Sequence, residues 1–383
     1  MMRRLKVLQL QNRYNVSAAD LAEQVVKALP ADRFEVTTAF LRGRPEGDEP
    51  HSCAPHSVYF GFSQAATKGL RLRVLWALYR HCRHYGYDVV IGHRFKPINL
   101  LMLLNIVLKF PACVGVLHGL GEFDRRYRQW VTQRLLTRAW HFVGVSRAVR
   151  DDLIYSRCGL DLSNTTQINN AIDIDRAQAL QLERVEARLR LGLAASDLVV
   201  GAIGRLVPVK GHIYLLKAFA RLQQEFPVAR LLIIGEGRCR EELESCIDEQ
   251  GLHGRVHLPG TLDDALQYVK AFDIFVMPSL SEGLPLALLE GMSGKLPVMG
   301  ASIDSLRPIL QDSGGLIFEP ADVPSLEKQL RLMLELSAPE RERLGQQAYD
   351  YLRRAHAIED FRECYRDLIG GLAQVQLQGA IRS

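Results

Sequence analysis

Short apolar runs alternate with longer amphipathic segments along the first half of the chain. Compact apolar runs are typical of buried strands, and apolar residues three or four positions apart are typical of helices. The runs predict strands at residues 5–10, 34–40, 58–60, 88–92, 111–117, 141–145 and 166–169. The amphipathic segments predict helices at residues 17–29, 70–85, 97–108, 122–136 and 146–155. Strands that alternate with helices favour a parallel sheet with helices on both faces.

The same pattern restarts in the second half, after a charged, helical segment at 176–193 that we expect to join two domains. Strands are predicted at 198–204, 229–234, 256–258, 274–277, 296–299 and 315–318, and helices at 211–224, 238–250, 263–271, 324–336, 340–355 and 358–372. A further helix is predicted from Pro285, whose fixed φ suits a first helical position, to Gly294. The chain is therefore predicted to fold as two α/β domains of similar size, with ligands at the carboxyl ends of the strands.

Composition predicts a reduced, cytoplasmic protein. Hydrophobic residues make up 48% of the chain and charged residues 24%, which is ordinary for a globular protein. The longest apolar run, at 98–110, is interrupted by Asn99, Asn105 and Lys109, so we expect no membrane span. The apolar part of the first ten residues is too short for a signal peptide. Seven scattered cysteines without a C-x-x-C pair indicate free thiols rather than disulfides or a zinc site.

Charge is distributed unevenly between the two halves. Residues 1–175 hold 24 Lys and Arg against 15 Asp and Glu, whereas residues 176–383 hold 24 against 28. Two predicted helices, 70–85 and 122–136, combine arginines with Trp or Tyr. A basic half favours an acidic partner, such as a membrane surface, a phosphorylated glycan or nucleic acid, but no nucleic-acid motif is present. The alternative is that both helices are ordinary solvated faces.

Glu282 and Glu290 lie on the loop and helix that follow the predicted strand 274–277. Eight helical residues span about 12 Å, whereas the paired carboxylates of glycosidases lie about 5–9.5 Å apart. The two glutamates are therefore better suited to holding two ends of an extended ligand, with its anionic part at the helix start. The alternative is a solvated loop glutamate and a helix-surface glutamate.

Arg205 and Lys210 lie on a glycine-containing loop after the predicted strand 198–204. Two cations on one such loop suit a diphosphate, because glycine allows the backbone to approach and both side chains donate hydrogen bonds to phosphate. The loop has neither the Walker pattern nor the G-x-G-x-x-G pattern. An exposed basic loop is the alternative. Gly235 and Gly237 form a second turn, which we expect to leave space for a nucleotide.

Glu282 and Glu290, with Gly283 and Pro285 between them, resemble the E-x7-E motif of the retaining GT-B glycosyltransferases of the GT4 type. The resemblance implies a GT-B fold, in which two doubly wound Rossmann-like domains face a cleft. It implies an acceptor-side domain at 1–175, a nucleotide-sugar-binding domain at 176–357, and a helix in 358–383 that returns to the first domain.

The resemblance also implies roles for individual residues. Glu282 would lie near the donor sugar, and His118, in a His-Gly pair that ends a strand, would face that sugar from the first domain. The implied donor-binding set is Arg205 and Lys210 at the diphosphate, Gly283, Leu284 and Pro285 at sugar and phosphate, Glu290 at the ribose hydroxyls, and Leu258 beside the base.

The chain departs from the family pattern in two places. The family's Gly-Gly loop after the first strand is replaced by residues 11–19, which contain no glycine, so Arg13, Asn15 and Ser17 would supply the hydrogen-bond donors there. The acceptor side would then include Arg13, Asn15, His93 and Arg94. The family's G-G-x-x-E segment is also absent, since residues 302–307 lack its helical acid.

We therefore expect a glycosyltransferase that moves a sugar from a nucleoside-diphosphate sugar to a saccharide or lipid-linked acceptor, such as a lipopolysaccharide core, with retention at the anomeric carbon. We expect no cofactor and no metal site, because no D-x-D pair is evident near a strand end and Arg205, Lys210 and the helix start would stabilise the leaving diphosphate. We expect a peripheral position on the inner face of the cytoplasmic membrane. The alternatives are a GT-B epimerase or phosphorylase, or a non-catalytic nucleotide-sugar-binding protein.

Overall fold

The computed structural model describes residues 3–16 and 20–381 and divides the chain into two compact units. Unit 1 comprises Met1–Asn170 together with Ile358–Ser383, and unit 2 comprises Ala171–Ala357. The division after Asn170 lies a few residues before the boundary predicted at 175. Ser17 and the start of the predicted helix 17–29 lie outside the described residues.

The described part of unit 1 contains one sheet of parallel strands with helices between them. Its strands are β1 Leu5–Gln11, β2 Phe34–Phe40, β3 His56–Tyr59, β4 Val89–His93, β5 Ala112–Leu117, β6 Trp140–Gly144 and β7 Thr165–Gln167, in the spatial order β3-β2-β1-β4-β5-β6-β7. Its helices are α1 Leu21–Ala28, α2 Leu72–Tyr85, α3 Phe95–Leu108, α4 Arg126–Leu135, α5 Arg147–Tyr155 and, from much later in the chain, α14 Ile358–Ile381.

Helix α14 packs against α1 and β5 of unit 1. Its buried residues recur every three or four positions, which places them on one stripe of the helix. They are Ile358, Phe361, Tyr365, Ile369 and Ala373. Beside this stripe, Arg362 Nη2 donates to Gln24 Oε1 at 2.6 Å and Arg366 Nε donates to the Ala28 carbonyl at 3.2 Å. Apolar burial and polar contacts together attach the helix to α1.

The described part of unit 2 repeats this architecture. Its strands are β8 Leu198–Ile203, β9 Ala229–Ile234, β10 Val256–Gly260, β11 Ile274–Met277, β12 Val298–Ala301 and β13 Leu316–Phe318, in the spatial order β10-β9-β8-β11-β12-β13. Its helices are α6 Ile174–Leu180, α7 Arg184–Arg190, α8 His212–Leu222, α9 Arg240–Glu249, α10 Leu286–Ser293, α11 Arg307–Ser313, α12 Val323–Glu335 and α13 Ala338–Ala355, with short 3-10 helices at Pro208–Lys210 and Ala265–Ala271.

The expectation that segment 176–193 joins the domains is wrong, because α6 and α7 are integral parts of unit 2. Arg184 and Arg188 donate to the two oxygens of the Asp273 carboxylate at 2.5 and 2.7 Å. The same carboxylate accepts the Val199 N–H of β8 at 2.6 Å. These bonds anchor α7 to two adjacent strands. Asp273 lies 85 positions after Arg188, so a local sequence pattern could not reveal the contact.

Smaller differences concern helix starts and ends. The predicted helix 263–271 is the 3-10 helix Ala265–Ala271, and α3 begins at Phe95, before the proline expected to start it. Pro285 is the residue before α10 rather than its first helical residue, with φ −78° and ψ 123°. The described cysteines are free thiols, as predicted. Among the described helices, none is both long and apolar enough to span a bilayer.

Each sheet changes its winding direction between two central strands. In unit 1 the change lies between β1 and β4, and in unit 2 between β8 and β11. In doubly wound sheets a crevice opens at this point, outside the carboxyl ends of the strands, and ligands bind there. The predicted site residues His93, Arg205 and Glu282 lie at or just after the ends of these central strands.

Candidate active site

The loops after β8 and β11 contact each other at the crevice of unit 2. Lys210 Nζ donates to Glu282 Oε1 at 2.5 Å, and the two side chains are only 16% and 12% exposed. The backbone N–H of Leu280 donates to the Val209 carbonyl at 2.8 Å. One ion pair and one backbone hydrogen bond therefore hold together the two loops predicted to bind the donor.

Gly211 allows these loops to approach so closely. It has φ +67°, and a Cβ atom there would lie 2.1 Å from the Pro278 carbonyl oxygen at the end of β11. Any other residue would need a positive φ and would also push the loops apart. The glycine after Lys210 therefore lets the loop that carries Lys210 lie against the end of β11.

Gly235 and Gly237 pack against the backbone of the loop that carries Arg205. Cβ atoms at these positions would lie 2.0 Å from the Gly204 carbonyl oxygen and 2.2 Å from that of Leu206. The Leu206 N–H donates to the Glu236 carbonyl at 2.9 Å. These glycines therefore allow the backbone of the neighbouring loop to pack closely against their own. The sequence pattern did not reveal this role. Arg205 itself is exposed, with its side chain at the surface of the loop.

Glu290 lies in the second turn of α10, and Gly283, Leu284 and Pro285 form the turn before that helix. The N–H groups at a helix start point away from the helix, and the helix dipole favours an anion there. Burial, and secondly the negative charge of Asp264, raise the pKa of Glu290 to about 7. Asp264 precedes a 3-10 helix with φ +56° and was not predicted to belong to the site.

Leu258 lies in β10 and is partly buried. Its carbonyl accepts a hydrogen bond from Arg240 Nη2 at 3.0 Å, and Arg240 also pairs with Glu236 and Glu244. The Leu258 carbonyl, which was expected beside the base, therefore already accepts a hydrogen bond from Arg240. The sequence analysis did not identify Arg240 as a site residue.

His212 is a further residue of this loop that sequence analysis missed. It is 5% exposed, and its ring lies beside the Gly204 backbone. Burial, and secondly the charge of Lys210, lower the pKa of His212 to about 4. The imidazole of His212 is therefore neutral. The only signal in the sequence was its place immediately after Lys210 and Gly211.

In unit 1, His93 and His118 form a directed hydrogen-bond chain. Gln9 Nε2 donates to the Ala22 carbonyl at 3.0 Å, so Gln9 Oε1 faces His93 Nε2 at 3.2 Å and must accept. His93 Nε2 therefore carries a proton, and in a neutral ring His93 Nδ1 accepts. His118 Nε2, at 3.1 Å from that Nδ1, is then the donor.

Both imidazoles are held neutral by their surroundings. Burial, followed by His118 and the charge of Arg94, lowers the pKa of His93 well below its ordinary value. Burial, followed by Arg94, lowers the pKa of His118 to about 3. Since His118 uses its only N–H on His93, its Nδ1 offers a lone pair and no proton. His118 can therefore accept a hydrogen bond from a hydroxyl group.

The other predicted acceptor-side residues are exposed. Arg13 and Asn15 follow β1, and Arg94 follows β4. Arg94 has φ 68° and ψ 164°, a region that is essentially restricted to glycine. A strained arginine therefore lies directly beside the histidine pair.

Two family descriptions match most of the chain. Residues 18–176 match Glycosyltransferase Family 4, and residues 184–351 match Glycosyl transferases group 1. The chain belongs to the glycosyltransferases. The predicted family is thereby confirmed, and the roles of individual residues stay predictions.

Relatives of this glycosyltransferase include two curated proteins. An uncharacterised glycosyltransferase of Methanocaldococcus jannaschii is 34% identical over 60% of this chain and 59% of its own length, so less than two thirds of that relative is covered. An Escherichia coli protein named UDP-Gal:alpha-D-GlcNAc-diphosphoundecaprenol alpha-1,3-galactosyltransferase is 25% identical over 79% of this chain and 80% of its own.

The solved structure of HepE from Anabaena, in complex with UDP, superposes on this glycosyltransferase with a TM-score of 0.79. The match covers 96% of this chain and 100% of HepE at 18% identity. Sucrose-phosphate synthase of Thermosynechococcus elongatus gives the same TM-score at 19% identity, over 98% and 100% of the two chains. The predicted fold class, GT-B with two doubly wound Rossmann-like units, is confirmed.

Proposed function

We propose that this glycosyltransferase moves a sugar from a nucleoside-diphosphate sugar to a saccharide or lipid-linked acceptor, with retention at the anomeric carbon and without a metal ion. The observation that carries the proposal is the Lys210–Glu282 contact at the winding change of the unit 2 sheet. Cationic, anionic and helix-start groups lie together where doubly wound sheets bind nucleotides.

Unit 2 binds the donor in this proposal. Arg205 and Lys210 bind the diphosphate, and the first turn of α10 adds N–H donors, so positive charge faces the leaving group as it develops negative charge. These groups take the place of a metal ion. Glu290 accepts hydrogen bonds from the ribose hydroxyls, and Leu258 lies beside the base. When the diphosphate engages Lys210, Glu282 is released towards the donor sugar.

The reaction proceeds on one face of the sugar. The bond between the anomeric carbon and the diphosphate oxygen breaks, and its electron pair stays on the diphosphate. The acceptor hydroxyl forms the new bond from the same side and gives its proton to the departing phosphate oxygen, so configuration is retained. His118 is a neutral acceptor that can bind a substrate hydroxyl group, and no proton transfer is assigned to it.

The proposed acceptor is lipid-linked. The E. coli relative is named for a sugar carried on diphosphoundecaprenol, and the first half of this chain has a net positive charge. Trp76 on α2 and Trp130 on α4 are 62% and 58% exposed, and Arg73 and Arg126 on the same helices are exposed as well. Exposed aromatic and basic residues suit the surface of an anionic membrane. We propose that the enzyme works there, on the cytoplasmic side.

A ligand screen followed by a transfer assay tests the proposal. Nucleoside diphosphates and their sugars should raise the melting temperature of the full chain, because a ligand that binds the native state stabilises it. With the best donor and membrane extracts, transfer should persist in EDTA, and the product should keep the donor's anomeric configuration by NMR. Loss of transfer in EDTA that Mg²⁺ or Mn²⁺ restores contradicts metal independence. Donor turnover to an epimer or a sugar phosphate without acceptor favours the alternative enzymes, and binding without turnover favours a binding protein.

A further inference from the structure

A basic cavity lies in unit 1 near the start of α3. Its volume is about 420 Å³, which is in the range of small-molecule sites. It is formed by the loop after β1, the segment before α2, the start of α3 and the segment before α4. Its charged lining comprises six cations and one carboxylate: Lys68, Arg71, Arg94, Lys96, Arg125, Arg128 and Glu122.

The six cations are not neutralised by the protein. In the part of the chain that the structure describes, none of them lies within 4.0 Å of a carboxylate in an ion pair. The Glu122 Oε2 accepts the Phe95 N–H at the start of α3 at 3.0 Å, and its one negative charge is outnumbered by the six cations of the lining. A cavity with this charge balance attracts anions.

Neutral groups hold three of these cations in place. Arg71 Nη2 donates to Asn99 Oδ1 at 2.6 Å, and Arg128 Nη1 donates to the Glu122 carbonyl at 2.6 Å. Lys96 Nζ lies 3.4 Å from Thr67 Oγ1. Neutral partners fix a side chain without cancelling its charge, so the donors are arranged before a ligand arrives.

The electrostatic cost of this arrangement is visible at Lys96. Burial lowers the pKa of its ammonium, and the nearby charges of Arg42, Arg71 and Lys68 lower it further. A bound anion would relieve both effects, because an opposite charge stabilises the charged form.

Two cations of the cavity have an unfavourable backbone conformation. Arg71 has φ 54° and Arg94 has φ 68°, although both are arginines rather than glycines. Such conformations are unfavourable for a residue with a Cβ atom, and they cluster at functional sites. The strain fixes the direction in which two of the six cations leave the backbone.

An aromatic wall completes the cavity. The Phe95 ring has the Arg128 guanidinium 4.5 Å from its centroid and the Tyr127 ring edge-on at 6.2 Å. Tyr127 is 53% exposed, so part of its ring is available to a ligand. Aromatic faces beside an anion site suit a sugar that carries phosphate.

We propose that this cavity binds a phosphate or diphosphate group attached to a sugar of the acceptor. The identification of the ligand as the acceptor rests on the proposed function. Its negative charge is inferred from the six cations of the cavity, which form no ion pair with a described carboxylate. The cavity lies wholly in unit 1, whereas the donor diphosphate is assigned to Arg205 and Lys210 of unit 2, so the two anion sites are distinct in residues and separable by mutation.

Isothermal titration of the full chain tests the assignment. Saturating UDP first fills the donor site, after which pyrophosphate and glucose 1-phosphate are titrated at constant ionic strength. We expect Lys96→Gln to weaken both by about tenfold or more, the loss expected for one charged hydrogen bond. Arg125→Gln, at an exposed position, should weaken them in the same direction without risk to folding. UDP binding should be unchanged by either substitution and weakened by Arg205→Gln.

The matched control is Arg83→Gln, which removes one exposed positive charge from α2 outside the cavity. Absence of pyrophosphate and glucose 1-phosphate binding to the UDP-saturated protein overturns the proposal, as does an equal loss in Arg83→Gln. Binding that depends on Lys96 but occurs only with phosphatidylglycerol vesicles overturns the sugar-phosphate assignment in favour of a lipid headgroup. Failure of every nucleoside diphosphate to bind contradicts the proposed function instead, and the Lys96→Gln comparison then still decides the cavity.

Discussion

Lys210 and Glu282 form an ion pair at 2.5 Å although 72 positions separate them in the sequence. Lys210 is predicted to bind the donor diphosphate, and Glu282 is predicted to lie near the donor sugar. In this structure each charge is therefore satisfied by the other, and a donor diphosphate that binds Lys210 as proposed would compete with Glu282. This makes the two residues unequal in their effect on binding.

We predict opposite consequences for the two substitutions. Lys210→Gln should weaken UDP binding about tenfold to a hundredfold, since it removes a charged hydrogen bond to phosphate. Glu282→Gln should leave UDP binding unchanged or tighter, because Lys210 loses its competitor, while the transfer rate falls. Titration calorimetry and initial rates measure the two effects. Uridine, which lacks phosphates, serves as the control ligand and should be insensitive to Lys210→Gln. Equal weakening of UDP by both substitutions would contradict the competition.

A second prediction concerns Glu290, whose pKa is raised from 4.5 to about 7. A raised carboxyl pKa means that the protonated form is favoured in the folded state. The contribution of Glu290 to the free energy of unfolding is therefore fully present below pH 4.5. It falls as the pH rises towards 7, by at most about 3 kcal/mol. Glu290→Gln should match the parent near pH 4.5 and exceed its stability at pH 8, measured by urea unfolding. Parallel pH curves for the two proteins would refute the assignment.

Donor binding should show the opposite pH dependence. Ribose hydroxyls donate to a carboxylate, so binding requires ionised Glu290 and should strengthen between pH 6 and pH 8. A UDP-sugar is the suitable ligand, since a free terminal phosphate titrates near pH 6 and would obscure the effect. Glu290→Gln should bind more weakly at pH 8 and lose this dependence. A parent affinity that does not change with pH would exclude carboxylate binding of the ribose.

A third prediction follows from the Gln9–His93–His118 chain. Both histidines should be neutral Nε2–H tautomers from pH 5 to pH 8, because their pKa values are lowered by burial, by Arg94 and, at His93, also by His118. Nitrogen NMR of ¹⁵N-histidine protein measures the tautomer directly. Gln9→Leu removes the acceptor that fixes His93 and should change the tautomer of both rings. A titration of His118 near pH 6.5 would show that it is free to act as an acid.

A fourth prediction concerns the membrane. Replacing both Arg73 and Arg126 by Gln should weaken binding to phosphatidylglycerol vesicles by roughly 2 kcal/mol, or about 30-fold, at low salt. High salt should weaken the parent similarly. Arg71 and Arg128 are left unchanged because they line the basic cavity.

The matched control replaces Arg343 and Arg353 by Gln, two exposed arginines of unit 2. It removes the same charge and should leave vesicle binding intact, and UDP binding should survive in both double variants. If the parent fails to sediment with anionic vesicles even at low salt, α2 and α4 are ordinary solvated faces.

The fold was largely predictable because its signals are local. The predicted strand at 274–277 coincides with β11 Ile274–Met277, since four buried apolar residues are stopped by Pro278. Repetition of such units is sufficient to indicate parallel sheets, and the family resemblance supplied the GT-B arrangement. The helices α6 and α7 were misassigned because Asp273, which anchors α7, lies 85 positions from Arg188.

The site was only partly predictable for the same reason. Sequence patterns identified Lys210, Glu282 and His118. They did not reveal that Lys210 pairs with Glu282 or that His118 bonds to His93, because these contacts depend on strand order and on the direction of the side chains. Asp264 and Arg240 carry no motif, and they became visible only through their effects on Glu290 and Leu258. The sequence showed an excess of positive charge in the first half of the chain. It did not show that six of these cations line one cavity.

Helix α14 makes unit 1 discontinuous along the chain, whereas unit 2 is one uninterrupted segment. During synthesis the ribosome therefore releases all of unit 2 before the helix that covers α1 exists. Unit 2 can complete its sheet as it emerges, while unit 1 must wait with an uncovered apolar surface until Tyr365 and Ile369 leave the exit tunnel. Nascent chains with such surfaces are prone to aggregate and are typical clients of chaperones. Expression yield should consequently depend on the apolar stripe of the last helix.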